Sequence, residues 1–106
     1  MTAITEKYLQ DQVRKLCEDL GLMVQHMEDS RHSWVPGWPD LEIVGFGGIL
    51  YRELKGPGGV LSRDQRLVGR AIMLAGGDWA VWYLRDLLSG RITRELTAIS
   101  PIGRET

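Results

Sequence analysis

The stretch Pro39-Asp40-Leu41-Glu42-Ile43-Val44-Gly45-Phe46-Gly47-Gly48-Ile49-Leu50-Tyr51-Arg52-Glu53-Leu54-Lys55 decides how the rest of the chain is read. Leu41 to Phe46 and Ile49 to Leu54 are short β-prone runs on either side of Gly47-Gly48, a pattern that predicts a hairpin. Asp40 stands at the mouth of the first strand, and Glu53 and Lys55 stand near the end of the second. Side chains alternate along a strand, so Glu53 and Lys55 project from one face while Leu54 points the other way. Three charged groups can therefore converge on one spot.

Upstream of the hairpin, Thr5 to Gly21 reads as a helix. Leu9, Val13, Leu16, Cys17 and Leu20 recur at three- and four-residue steps, and Gly21 supplies a stop. Leu22 to Met27 reads as a first strand. Glu28 to Pro39, with Asp29, Ser30, Ser33, Pro36 and Gly37, is polar and turn-rich, hence an exposed loop of the kind in which function often resides. Downstream, Gly56-Pro57-Gly58-Gly59 ends the second hairpin strand. Ser62 begins a helix to about Ala75, with Leu61, Val68, Ile72 and Ala75 on one face and Gly76-Gly77 as its stop. Trp79 to Leu84 is a final strand. A short helix around Asp86 to Ser89 and another within Arg91 to Ile99 complete the chain. The order αβββαβ, with helices bracketing a mixed sheet, is an α/β sandwich.

Bulk properties bound the function. The 106 residues suit one domain around one sheet, with 43% hydrophobic and 25% charged residues. No apolar run approaches the ~18–20 residues that span a bilayer, so no membrane role is indicated. Met1 to Lys7 lacks the basic start and apolar stretch of a secretory signal, and the single cysteine, Cys17, cannot form an internal disulfide. A cytoplasmic protein is expected. The formal net charge of −1 excludes coating nucleic acid by bulk electrostatics, so any DNA binding must come from a local patch.

Asp40, Glu53 and the main-chain carbonyl of Leu54 offer the oxygen ligands that Mg²⁺ or Mn²⁺ prefers. A nearby Lys55 ammonium suits phosphodiester hydrolysis, because it can orient water or stabilise charge on phosphorus oxygens. The plainer alternative is an exposed ion pair worth little. Glu6 falls on the inward stripe of the first helix, where a carboxylate needs a reason, although a first-turn acid also satisfies the helix dipole. Gln65 follows Ser62 by three residues, which fits a capping box, and it also lies one turn into the helix that follows the glycine-rich loop.

Taken together, Glu6, Pro36-Gly37-Trp38-Pro39-Asp40-Leu41, Glu53-Leu54-Lys55-Gly56-Pro57 and Leu61-Ser62-x-x-Gln65 resemble the VRR-NUC family, the virus-type replication-repair nuclease branch of the PD-(D/E)xK superfamily. The similarity runs in order from Glu6 to about Leu84, and Asp29-Ser30-Arg31-His32-Ser33 resembles the loop before the Pro-Asp motif in compact phage and bacterial members. The resemblance implies a restriction-endonuclease-like core and a Mg²⁺- or Mn²⁺-dependent endodeoxyribonuclease. In that reading Asp40, Glu53, the Leu54 carbonyl and Glu6 face the metal, Lys55 serves the nucleophilic water and Gln65 supports the site. It also implies a homodimer acting on branched DNA such as four-way junctions or flaps.

For DNA contacts, the basic residues nearest the site are Arg31, His32, Arg63, Arg66 and Arg70. Arg31, Ser33, Arg63 and Arg66 are the candidates, while Arg70 suits a solvated outer face and His32 a plain surface position. Trp34 and Trp38 could stack on unpaired bases or pack the loop. Trp79 and Trp82 point to opposite faces of the last strand, so at least one belongs to the core. Two rivals stand beside the nuclease: a nucleic-acid-binding module that does not cut, and an assembly subunit whose carboxylates serve only structure.

Overall fold

The computed structural model describes residues 5–29 and 32–101. Its element order is α1 (Glu6–Asp19), β1 (Met23–His26), β2 (Leu41–Gly45), β3 (Gly48–Leu54), α2 (Arg63–Leu74), β4 (Asp78–Trp82), α3 (Leu84–Leu88) and α4 (Arg91–Ile99). The strands form one mixed sheet in the order β1-β2-β3-β4, with β1, β2 and β3 antiparallel and β4 parallel to β3. The expected hairpin is present, but its turn is Phe46-Gly47, because Gly45 pairs with Gly48. Gly48 carries the positive φ of 141° that this tight reversal needs. A side chain at Gly45 would overlap Ile99, so the hairpin end closes directly onto the end of α4.

Strand alternation divides the labour between the two faces. Leu41, Ile43, Leu50, Leu54 and Trp82 point to one side and bury against Leu9, Val13 and Cys17 of α1 and Ile92, Leu96 and Ile99 of α4. Apolar burial of this kind is worth roughly 1.5–3 kcal/mol per large side chain. The helix-one stripe is thus as expected, with Leu16 and Leu20 partly buried at its margin. Thr5 caps α1, its hydroxyl accepting from Tyr8 N–H at 3.2 Å.

The opposite face carries Tyr51, Glu53, Trp79 and Val81 and is covered by α2 on the β3–β4 side. The expected apolar stripe of α2 is looser than its spacing suggested: Val68 and Ile72 are half-buried, and Ala75 is exposed. The reason is Gly69, which is buried against the Trp79 ring where any side chain would collide, so the closest approach runs through a glycine. Trp82 lies in the core and Trp79 under α2, as their odd separation requires. Among the described residues no helix is long and apolar enough to cross a membrane.

Candidate metal centre and its surroundings

The site begins where the β2–β3 ladder ends. One step beyond the Leu41–Arg52 pair, the antiparallel register sets Asp40 opposite Glu53, and directly paired residues share a face. Pro39, buried and lacking an N–H, stops the ladder. The Leu54 N–H turns instead to the Asp40 carboxylate, donating to Oδ2 at 2.8 Å. The Asp40 carbonyl accepts from Met27 N–H at 2.8 Å, so Asp40 is held from both neighbouring strands. Pro39 also leaves the ladder without a donor for the Leu54 carbonyl on that side.

Glu53 is the anomaly. It is 1% exposed, and neither carboxylate oxygen has a hydrogen-bond partner. Burying an ionised carboxylate without a partner is among the costliest arrangements a fold can contain. Its pKa is pushed up to about 9, first by burial and then by the Asp40 carboxyl opposite it; Glu6 adds to the rise and Lys55 works against it. When both carboxyls are ionised each offers only acceptors, so they cannot hydrogen-bond each other and a proton or a cation between them would relieve the repulsion.

Lys55 follows two residues after Glu53, and its N–H continues the parallel ladder by donating to Trp82 O at 3.1 Å. Its side chain lines a cleft of about 420 Å³ shared with Pro36, Gly37, Val60, Leu61, Ser62, Asp64 and Gln65. Gly37, at φ 90°, lies so close to the Asp64 backbone that only a glycine fits, which docks the Pro-Asp loop against the start of α2.

The structure therefore brings Asp40, Glu53 and Lys55 together. Glu6, in the first turn of α1, is exposed, as the first-turn alternative has it and not burial on the inward stripe. Its backbone nevertheless approaches Gly56, and its pKa is raised by partial desolvation and then by Asp40, with Lys55 and His26 opposing. Gln65 makes the capping box, accepting from Ser62 N–H through Oε1 at 2.9 Å while its own N–H donates to Ser62 Oγ at 3.1 Å. It also faces the cleft that Lys55 lines.

The candidate DNA contacts fare unevenly. Arg63 is exposed on the first turn of α2. Arg66 spends one guanidinium N–H on the Leu61 carbonyl at 2.9 Å, and the Ser33 hydroxyl donates to Val35 O at 2.7 Å. Arg31 lies outside the described residues. Trp34 is fully exposed, whereas Trp38 is fixed by donation to Glu42 at 2.8 Å and by an edge-on contact with Tyr51.

Sequence reasoning missed His26, Tyr83 and Arg85, which only strand pairing brings to this end of the sheet. It also missed the use of Arg52. That arginine is 2% exposed, bonds Asp78 and Glu95, and lies over the Trp82 ring at 5.1 Å. The described residues hold no group of three or more His, Cys, Asp or Glu side chains arranged to hold a metal ion. A cation at this place would have to rest on the Asp40–Glu53 pair with main-chain oxygen and water completing its shell, a donor set that suits Mg²⁺ better than Zn²⁺. Compared with family models, curated proteins and solved structures, the chain finds no match.

Proposed function

We propose that the chain is a Mg²⁺- or Mn²⁺-dependent endodeoxyribonuclease of the VRR-NUC type, with a restriction-endonuclease-like core and branched DNA, such as four-way junctions or flaps, as its substrate. The observation that carries this reading is Glu53: a buried carboxyl with two orphaned oxygens, opposite Asp40 and two residues from Lys55. A purely structural carboxylate in such a position would have a donor. A divalent cation bound there would supply Lewis-acid polarisation of a phosphate oxygen and activation of water. Asp40 and Glu53, with the Leu54 carbonyl, would hold it, and its charge would offset the burial and the Asp40 repulsion that keep Glu53 protonated.

Lys55 places an ammonium on the same face, where it orients the attacking water or offsets charge on the phosphate. The Gln65 amide group borders the same cleft while its oxygen holds the cap. Glu6 adds a carboxylate across the sheet's end. The resemblance further suggests a cytoplasmic homodimer, which sedimentation of the purified chain would test.

The decisive experiment incubates the protein with labelled four-way, flap, single-stranded and duplex DNA in EDTA, Mg²⁺ or Mn²⁺, beside Asp40→Asn, Glu53→Gln and Lys55→Ala. Metal-dependent products that all three variants lose are expected. Full cleavage by any folded variant would remove that residue from the site. One observation favours a second reading: no third side chain completes a metal cage among the described residues. Binding without products under every metal condition would support a non-cleaving nucleic-acid module.

A further inference from the structure

We infer that Tyr83 and Arg85 form a contact for the phosphate backbone of a nucleic-acid strand, set beside Lys55; the inference rests on the nuclease reading above. One step past the Leu54–Trp82 pair, the parallel register sets Tyr83 beside Lys55, on the face that carries Glu53 and Val81. The Tyr83 hydroxyl donates to Gly59 O at 3.3 Å. Gly59 is itself pressed against Lys55: a β-carbon there would stand 3.3 Å from both Cβ and Cδ of the lysine. Tyr83 is thus tied to the loop that covers the Lys55 stem.

On this ring lies a guanidinium. The Arg85 Cζ is 4.1 Å from the Tyr83 ring centroid, and Arg85 is exposed. Its acidic neighbour, Asp86, is already engaged. One Asp86 oxygen accepts from Tyr83 N–H at 2.8 Å, and the other pairs with Arg91 at 3.2 Å. Among the described residues Arg85 has no ion-pair partner, as is also true of Arg63, Arg66, Arg70 and Arg94, whereas Arg14 pairs with Glu18, Arg52 with Asp78 and Glu95, and Arg91 with Asp86 and Glu95. A stacked guanidinium is pre-organised, and its planar fork of N–H donors matches phosphate oxygens. Because the guanidinium already lies over the Tyr83 ring, that face is not open for a base to stack on, and what it offers a strand is N–H donors that backbone phosphate oxygens accept.

The test is fluorescence anisotropy of the four-way, flap, single-stranded and duplex DNAs across a salt series in Ca²⁺, with folding checked by circular dichroism. Each lost phosphate contact flattens the slope of log K against log salt by about 0.9 on duplex or 0.7 on single strands. Arg85→Ala should lose about one such contact and bind roughly 3- to 10-fold more weakly. Tyr83→Leu, which removes the stacking surface but no charge, should weaken binding by a smaller factor. Arg94→Ala, on the outer face of α4, should match wild type. Inorganic phosphate at equal ionic strength should compete no better than chloride if an extended strand is the ligand. An Arg85→Ala protein with wild-type slope and affinity overturns this inference alone. A wild type that binds none of the DNAs overturns the nuclease reading with it.

Discussion

Replacing Glu53 by Gln tests the meaning of the buried carboxyl without changing its shape. Its pKa stands near 9 in the fold against an ordinary 4.5. The sign follows from proton counting. Between those values the folded chain holds a proton that the unfolded chain releases, so stability is whole below pH 4.5 and is lost progressively as pH rises to about 9. At pH 7 the metal-free fold must keep Glu53 protonated 2.5 pH units above its unfolded value, which at about 1.4 kcal/mol per unit costs about 3 kcal/mol. An amide has no charge to bury, and its N–H can donate to the Asp40 carboxylate opposite it. Allowing for relaxation, Glu53→Gln should stabilise the metal-free protein by about 1–3 kcal/mol, or roughly 5–15 °C in Tm for a domain of this size. Calorimetric melts in EDTA at pH 4, 6 and 8 would check this: the gap should be absent at pH 4 and widest at pH 8. Mn²⁺ should raise the wild-type Tm and leave the variant unchanged, because only a ligand of the native state stabilises it. A variant no more stable than wild type at pH 8, or a gap that persists at pH 4, refutes the reasoning.

Three other outcomes follow from the fold. Glu95→Ala strips buried Arg52 and the Trp82 indole of their shared acceptor, and should cost about 3–5 kcal/mol of unfolding free energy in urea. Burial alone would raise the Glu95 carboxyl, but hydrogen bonds from Arg91, Trp82 and Arg52 outweigh it and hold the group below its ordinary value, so the stability it contributes is present above pH 4.5 and lost as pH falls through the folded value. Cys17 is fully buried with its thiol pushed up to about 12, so Ellman's reagent should label it only at the rate of unfolding. Gly37→Ala forces a β-carbon into the Asp64 backbone at a positive φ; a loss of at least about 1–3 kcal/mol is expected, with weakened Mn²⁺ affinity because the Pro-Asp loop shifts.

The hairpin and its charged ends were legible because their determinants are local: alternation, a glycine-rich reversal, and Pro39 where the pairing stops. The turn was displaced by one residue because Gly45 must meet Ile99, a contact 54 positions away in the chain that no local pattern reveals. Glu6 was open to two readings, since its spacing puts it on the inward stripe while a first-turn side chain also reaches water; it is exposed, yet Asp40 still bears on its pKa. For Gln65 the spacing after Ser62 predicts a cap, and the cap is what its hydrogen bonds make. Tyr83 and Arg85 were illegible because β4 joins β3 in parallel through a crossover, so their position beside Lys55 exists only in three dimensions.

Arg52 and Glu53 are consecutive on β3, equally inaccessible to water and turned to opposite faces, and their surroundings differ in the way that separates architecture from chemistry. Arg52 donates to Asp78 and Glu95 and lies over Trp82; the fold has built partners for it from two other elements. Its burial is consistent with stability, since its donors are matched and its counter-charges are close. Glu53 has been given the reverse: a second acid opposite it, a third across the sheet's end, and no donor to either oxygen. The same strand that could match an arginine three times over leaves the adjoining glutamate unmatched. Without a cation the fold holds Glu53 only in its protonated form, at a cost near neutral pH that an amide would not carry. On the proposed nuclease reading this mismatch is what a bound cation would relieve, and the metal-free melt of Glu53→Gln measures the cost of keeping the acid.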